Sequence, residues 1–203
     1  MSRQNRVTPL AEIVAAPGRG LLTGNRGCLV DGRGQMTGRR WTSTAWIACT
    51  LAYKGVRRPL MQPRTWTELF FLDEAVALAA GHRPCALCRR GDYRRFQEAW
   101  ASASGATCGA KDIDRALHRA RLTPERHQCR HGAVICALPD GSFILQGGTP
   151  MLIRGAWLFP YRPDGYGPPV RRPGDGTAEV LTPAPTVAAL GAGYRPLFHP
   201  SAS

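Results

Sequence analysis

The chain of 203 residues contains no long hydrophobic run. No segment approaches the roughly 18 apolar residues that a membrane-spanning helix needs. The first residues, MSRQNRVTPLAEI, contain no hydrophobic core of a secretory signal. We therefore expect a cytoplasmic protein that does not enter a membrane. With 43% hydrophobic and 20% charged residues, the composition is typical of a globular protein built as one large domain or two small ones.

The sequence also lacks the common catalytic motifs. We find no glycine-rich phosphate loop, no His-Glu-x-x-His, no Gly-x-Ser-x-Gly and no deaminase pattern with a paired-cysteine motif. These absences argue against the standard enzyme classes. A metal-dependent nuclease stays open, because Asp112, Asp114 and His118 could hold a second, catalytic metal ion for phosphodiester hydrolysis.

Lysine is scarce in a strongly basic chain. Lys54 and Lys111 are the two lysines among 27 basic residues, and the formal net charge is +13. A polyanionic partner, nucleic acid above all, fits this charge, because phosphate contacts gain affinity by releasing counterions. The alternative is a coding bias toward arginine, in which case the charge is incidental.

Seven cysteines form an odd set, and the cytosol would keep them reduced, so disulfides explain them poorly. Five cysteines stand singly in the sequence, and single cysteines usually pack as small buried hydrophobic residues. Cys85 and Cys88 differ, because two thiolates separated by two residues can bind one tetrahedral ion from a tight turn. They are the first candidates for zinc ligands.

The residues before this pair predict how the turn is presented. A strand at 70–72 leads to Asp73, which can cap a short helix, and Gly81 can adopt the left-handed conformation that ends it. Pro84 prevents the helix from continuing. The sequence therefore predicts a strand, a two-turn helix and a cysteine loop in succession.

The run FFLDEAVALAAGHRPCALCRR, residues 70–90, resembles the metal-binding domain of the Ada alkylation-response proteins. In that family a strand, a short Ala-rich helix and Gly-aromatic-Arg-Pro-Cys-x-x-Cys-Arg occur in this order. The resemblance implies a four-cysteine zinc site on a domain that binds the DNA backbone, with one ligand cysteine accepting a methyl group from a methylated phosphate. Cys85 and Cys88 match the last two ligands. The family's first two, a Cys-x-x-x-Cys pair just before the strand, have no counterpart here.

The remaining ligands must therefore come from more distant positions, and several candidates stay open. Cys49 lies on a strand predicted over 46–53 and either packs in the core or joins the site. His118 lies on a predicted helix, with Asp114 one turn earlier to hold its ring nitrogen. The other candidates are Cys28 and the group His127, Cys129 and His131, which alternation on a strand would turn to one side.

Arginines crowd the cysteine loop and the helix predicted after it. We expect these side chains to contact phosphate, because a guanidinium binds phosphate in a bidentate fork that lysine cannot reproduce. The candidates for nucleic-acid contacts are Arg83, Arg89, Arg90, Arg94 and Arg95.

The rest of the chain predicts an α+β fold, with β-hairpin-rich N- and C-terminal parts around the cysteine module and two central helices. We divide it into a basic, β-rich region over 1–122 and a hairpin-rich region over 123–203, with a single compact domain as the alternative. Residues 180–196 repeat the strand, short helix and Ala-Gly-aromatic-Arg-Pro pattern of the module, but Leu197 replaces Cys85, so this copy would bind no metal.

Together these features predict a zinc-binding protein that binds nucleic acid, most simply the DNA backbone, in DNA repair or the damage response. One alternative is an enzyme that acts on DNA, either a nuclease or a repair protein with a reactive zinc-bound thiolate. A second alternative is a structural protein whose cysteine pair binds no metal.

Overall fold

The computed structural model describes residues 2–18, 20–55 and 60–203. The N-terminal half forms a six-stranded sheet in the order β2-β1-β5-β3-β4-β6. Its strands are β1 Gln4–Val7, β2 Ile13–Ala15, β3 Leu22–Asn25, β4 Ile47–Thr50, β5 Leu69–Phe71 and β6 Arg83–Pro84. The β1–β5 and β4–β6 pairs are parallel, whereas the other neighbours are antiparallel.

The C-terminal half forms a second sheet in the order β11-β10-β9-β8-β13-β7, with β12 paired to β10. All its pairs are antiparallel, as the hairpin signals predicted. Its strands are β7 His131–Val134, β8 Phe143–Gln146, β9 Thr149–Arg154, β10 Trp157–Arg162, β11 Gly165–Tyr166, β12 Val170–Arg171 and β13 Thr177–Val180.

Four α-helices accompany the sheets in the described ranges, which confirms the α+β class. They are α1 Glu74–Ala79, α2 Arg90–Ser104, α3 Ala110–Arg121 and α4 Ala184–Gly191. None of them combines the length and the apolar character that crossing a membrane requires. The largest core cluster joins residues from both sides of position 122, including Leu22, Phe71, Phe143 and Leu181.

Helix α2 buries an aromatic stripe at helical spacing, with Tyr93, Phe96 and Trp100 turned inward. No side chain caps the start of this helix. Asp92 does not cap the helix, because its carboxylate lies 2.7 Å from the guanidinium of Arg89 and also contacts Arg95. The helix therefore begins at Arg90, two residues after Cys88.

The cysteine module forms as expected up to the loop. The carboxylate of Asp73 accepts a hydrogen bond from the backbone N–H of Val76 at 2.9 Å and caps α1. At the end of the helix, the N–H of Gly81 donates to the carbonyl of Leu78 and the N–H of His82 to that of Ala77, both at 2.9 Å. These two bonds close the helix in the manner typical of a left-handed glycine.

The C-terminal repeat ends with the same pair of bonds. After α4, the N–H of Gly193 donates to the carbonyl of Leu190 and the N–H of Tyr194 to that of Ala189, both at 3.1 Å. The two glycines share a positive φ, +84° at Gly81 and +107° at Gly193. The sequence repeat is therefore also a repeat of backbone structure, although only the first copy leads to a cysteine pair.

Glu74 joins the two copies of this module. Its buried carboxylate accepts hydrogen bonds from the Tyr194 hydroxyl at 2.6 Å and from the backbone N–H of Leu197 at 2.9 Å. The same carboxylate lies 2.8 Å from the guanidinium of Arg89, directly after Cys88. One side chain thus ties α1, the loop of the cysteine pair and the C-terminal segment together.

Replacing Glu74 should therefore destabilise the whole fold. We expect Glu74→Gln to lower the free energy of unfolding by about 3 to 5 kcal/mol, because it leaves the buried Arg89 guanidinium short of negative charge. Urea denaturation measures this change. Glu179→Gln, which breaks an exposed pair with Arg130, is the matched control and should cost about 0 to 1 kcal/mol. Equal losses in the two variants would contradict the role of Glu74.

Candidate metal centre

The pairing of β4 with β6 brings the first two cysteines together. The parallel register places Ile47 beside Arg83 and Ala48 beside Pro84. The N–H of Cys85 then donates to the carbonyl of Ala48 at 2.9 Å, which extends the pairing by one residue. Neighbours in register lie on the same face of a sheet, so Cys49 lies beside Cys85.

Cys88 reaches the same point through the turn that follows β6. The Sγ atoms of Cys49, Cys85 and Cys88 all lie within 4.8 Å of one another. Zinc–thiolate bonds of about 2.3 Å in a tetrahedron separate the sulfurs by about 3.8 Å, so these distances suit one shared ion. The described residues form no other such cluster of His, Cys, Asp or Glu atoms.

Gly81 positions the turn into β6. A Cβ at this residue would lie 2.6 Å from Cδ of Arg121, and φ of +84° already disfavours other residues. The carbonyl of Gly81 accepts a hydrogen bond from Nη1 of Arg121 at 2.8 Å. This contact from α3 holds the segment that delivers Cys85 to β4.

The three thiols shift one another's pKa values. Hydrogen bonds from the Cys49 and Cys88 thiols lower the pKa of Cys85, and the backbone N–H groups of Cys88 and Leu87 add to this effect. The pKa of Cys49 is raised, because its thiol donates to Cys85 and is partly buried. A metal ion would replace these shared protons and stabilise three thiolates at once.

The donor set suits a thiophilic ion. Three thiolates match the preference of zinc for cysteine sulfur, and a tetrahedral ion would keep one further coordination position. Residues 1, 19 and 56–59 lie outside the described ranges, and none of them is a His, Cys, Asp or Glu. Cys49 and Cys88 are partly exposed whereas Cys85 is buried, so the open side of the group faces solvent.

Cys49 does not lie on the face of β4 that packs in the core, which was one of its two expected positions. Ala48 and Trp46 are buried at 1% exposure, whereas Ile47 and Cys49, on the opposite face, are only partly buried. The side of the strand that packs in the core is thus the one opposite Cys49. Cys49 is therefore free to turn toward the cysteine loop.

The structure does not bring His118 to the three cysteines. Its ring packs against Trp41, with the ring centroids 5.7 Å apart, and its Nδ1 lies 2.9 Å from the guanidinium of Arg121. Asp114, expected to hold His118, instead forms a bidentate ion pair with Arg83 at 2.8 Å. His118 thus belongs to the packing between α3 and the loop before β4.

The other candidate ligands also lie apart from the cluster. Cys28 donates to the carbonyl of Val30 at 3.6 Å. His127 lies in an exposed turn and only His131 reaches β7, so the alternation of one continuous strand is absent. Cys129 is partly buried, and its N–H bonds to the carbonyl of Arg121 at 2.9 Å.

The five arginines expected to contact phosphate divide into two groups. Arg83 and Arg89 are buried, at 5% and 6% exposure. Ion pairs neutralise their charges inside the protein, with Asp114 for Arg83 and with Glu74 and Asp92 for Arg89. They cannot reach a phosphate in this conformation. The exposed group is Arg90, Arg94 and Arg95.

Comparison with known proteins adds no relative to this description. No protein-family model matches the chain, and no curated protein or solved structure matches it significantly.

A group that sequence reasoning missed packs around Trp46, the residue directly before β4. The guanidinium carbons of Arg26 and Arg121 lie 4.0 and 3.8 Å from the ring centroid of Trp46. His82 also packs on this indole, with ring centroids 5.3 Å apart. Trp46 and His82 each precede a cysteine of the metal centre by three residues. Only the β4–β6 register shows that this shared spacing places the two side chains next to each other.

Cys49 provides the decisive test of the cluster, because only the fold brings it to the cysteine pair. We expect the protein to bind one metal ion, and Cys49→Ser to weaken binding by more than about 100-fold, since removing a ligand should exceed the 10- to 100-fold loss typical of changes to residues that merely support a ligand. Titration with Co²⁺, followed by its thiolate charge-transfer absorption, reports both affinity and thiolate number.

Cys28→Ser and Cys129→Ser are the matched controls, because both cysteines lie outside the group. Each should keep the affinity and the absorption of the unmodified protein. An unchanged spectrum for Cys49→Ser would remove this residue from the centre, and the same loss in all three variants would indicate damage to the fold.

Proposed function

We propose that this chain is a zinc protein that binds nucleic acid, most simply the phosphate backbone of DNA. The observation that carries the proposal is the convergence of Cys49, Cys85 and Cys88 immediately before a helix with an exposed arginine face. The metal would fix the loop, and the loop sets where that helix begins.

Zinc is the proposed ion because of the donor set. Thiolate sulfur favours zinc, copper(I) and iron–sulfur centres over magnesium, calcium or manganese. Two sulfurs on a short turn are half of a typical structural zinc site. Here a third sulfur from a neighbouring strand joins them. Metal analysis of the purified protein distinguishes these ions.

The arginines of α2 support the nucleic-acid partner. Arg90 and Arg94 lie one helical turn apart, and Arg95 is adjacent, with its side chain 61% exposed. Arg90 and Arg94 have no side-chain partner among the described residues, so their guanidinium groups are available to phosphate oxygens. The net charge of +13 would strengthen the attraction over a longer range.

The resemblance to the Ada metal-binding domain supports the same partner. The strand β5, the short helix α1 and the Gly81-to-Cys88 turn occur in the order that the family shows. The departure from the family is the source of the remaining ligands. Cys49 comes from β4, and three cysteines stand where the family has four.

Salt dependence tests the nucleic-acid proposal. We expect the protein to bind a fluorescent DNA duplex, with affinity falling as salt rises, because each phosphate contact releases counterions. A variant combining Arg90→Ala, Arg94→Ala and Arg95→Ala should lower the slope of log K against log [salt] by about 3, near one for each phosphate that is no longer neutralised. Fluorescence anisotropy at several salt concentrations measures both quantities.

The matched control removes the same charge from other surfaces. Arg119, Arg162 and Arg171 are exposed, on α3, at the end of β10 and on β12. Replacing these three by alanine should leave the slope nearly unchanged. A similar loss in both triple variants would show that only overall charge matters, and an affinity that does not respond to salt would refute phosphate binding.

A second candidate function follows from the number of ligands. Three thiolates leave one position of a tetrahedral ion open, as in reactive rather than closed structural sites. We infer that a zinc-bound thiolate, Cys49 or Cys88 on the open side, could accept a methyl group from a methyl phosphotriester. The sulfur would attack the methyl carbon, an S–C bond would form, the C–O bond would break and a phosphodiester anion would leave.

Mass spectrometry distinguishes this candidate from binding alone. We expect incubation with methylphosphotriester-containing DNA to add one methyl group to the zinc-loaded protein, on a peptide that contains Cys49 or Cys88. Cys28→Ser should react to the same extent. Unmodified protein after incubation, in a preparation that still binds DNA, would exclude methyl transfer and retain the binding proposal.

A further inference from the structure

A cavity of about 340 Å³ lies between β1, β2 and the loop that connects β3 to β4, apart from the three cysteines. Its lining is rich in arginine and contains no carboxylate among the described residues. The residues that matter here are Arg26, Arg39, Arg40, Gln4, Ala11 and Met36.

Arg26 is fully buried, yet part of its guanidinium has no partner. Nε donates to Nε2 of His82 at 3.3 Å and Nη1 donates to the carbonyl of Ala11 at 2.9 Å. Nη2 is buried and makes no hydrogen bond. A buried donor without an acceptor is costly, so the native fold has retained an unsatisfied group in the wall of a cavity.

The positive charge of Arg26 is also uncompensated. No carboxylate forms an ion pair with Arg26 or Arg121 in the described residues, although both pack on Trp46. Burial, with Arg121 and Arg40 nearby, lowers the pKa of Arg26 well below its usual value. An arginine nonetheless keeps its proton in proteins, so the cavity wall carries a buried cation that lacks a counterion.

The loop over the cavity adds two further arginines. A bridge between Val30 and Met36 and the bond from the N–H of Thr37 to the carbonyl of Leu29, at 2.9 Å, hold this loop in place. Arg39 is exposed and Arg40 is half-buried. Arg40 donates to the carbonyl of Arg126 at 3.2 Å, which leaves the rest of its fork available.

We propose that this cavity binds a phosphate group, held by Arg26 in the wall and by Arg39 and Arg40 toward solvent. Three guanidinium groups carry more positive charge than the single negative charge of a carboxylate can neutralise. A phosphate offers more negative charge and several acceptor oxygens for arginine forks. The volume lies at the lower end of the range for small-molecule sites. The phosphate therefore belongs either to a small ester or to a nucleic-acid chain.

Ligand-dependent stability tests the site without any assumption about the metal. The melting temperature of the protein as purified should rise with the concentration of inorganic phosphate at constant ionic strength, because a ligand that binds only the folded state stabilises it. Combining Arg39→Ala with Arg40→Ala should weaken the apparent affinity by at least about tenfold. These residues lie toward solvent, so the variant should fold even if Arg26→Met does not.

The matched control combines Arg119→Ala with Arg171→Ala, two exposed arginines away from the cavity, and should keep the full response to phosphate. Competition identifies the source. Displacement of phosphate by a nucleoside 5′-monophosphate but not by duplex DNA indicates a small ester, whereas displacement by duplex DNA indicates the nucleic-acid backbone. No rise with phosphate, or equal rises in all three proteins, would overturn the proposal.

Discussion

The buried carboxylate of Glu74 is the interaction on which the arrangement depends. It accepts hydrogen bonds from Tyr194 and Leu197 and pairs with Arg89, so it connects the first helix, the segment after Cys88 and the C-terminal repeat. A buried charge is tolerated only when its partners are complete. The C-terminal copy of the module, which carries no cysteine pair, thus supplies the groups that hold the first copy in position.

This use of charge explains why two of the arginines near the cysteine loop are unavailable to a ligand. Arg83 and Arg89 have carboxylate partners inside the protein, whereas Arg90, Arg94 and Arg95 lie on the exposed face of α2. Neighbouring arginines in sequence therefore have opposite environments. The difference arises from their positions in the fold. Arg83 on β6 meets Asp114 and Arg89, directly before α2, meets Glu74, whereas α2 turns the other three arginines toward solvent.

The cluster of Arg26, Trp46 and Arg121 differs from Arg83 and Arg89, whose buried charges are paired. Here cations are buried against an aromatic ring without a carboxylate, beside the strand that carries Cys49. His82 packs in the same group, and burial beside Arg26 and Arg121 lowers its pKa, which keeps the ring neutral. The molecule thus combines a thiol-rich centre with a separate region that lacks negative charge, as expected if the ligands of the two regions are a cation and an anion.

Local sequence was sufficient for the features that depend on neighbours in the chain: the cap at Asp73, the left-handed turn at Gly81, the cysteine turn, the hairpins of the second sheet and the α+β class. Turn chemistry and periodicity act over a few residues, so they are visible without a fold. The third cysteine was different. The sequence favoured Cys49 and His118 as further ligands and left Cys28 and the group His127, Cys129 and His131 open. The parallel register of β4 and β6 decided for Cys49. That register, like the partners of Arg83, Arg89 and Arg26, joins residues distant in sequence, and long-range pairing is set by packing of the whole core.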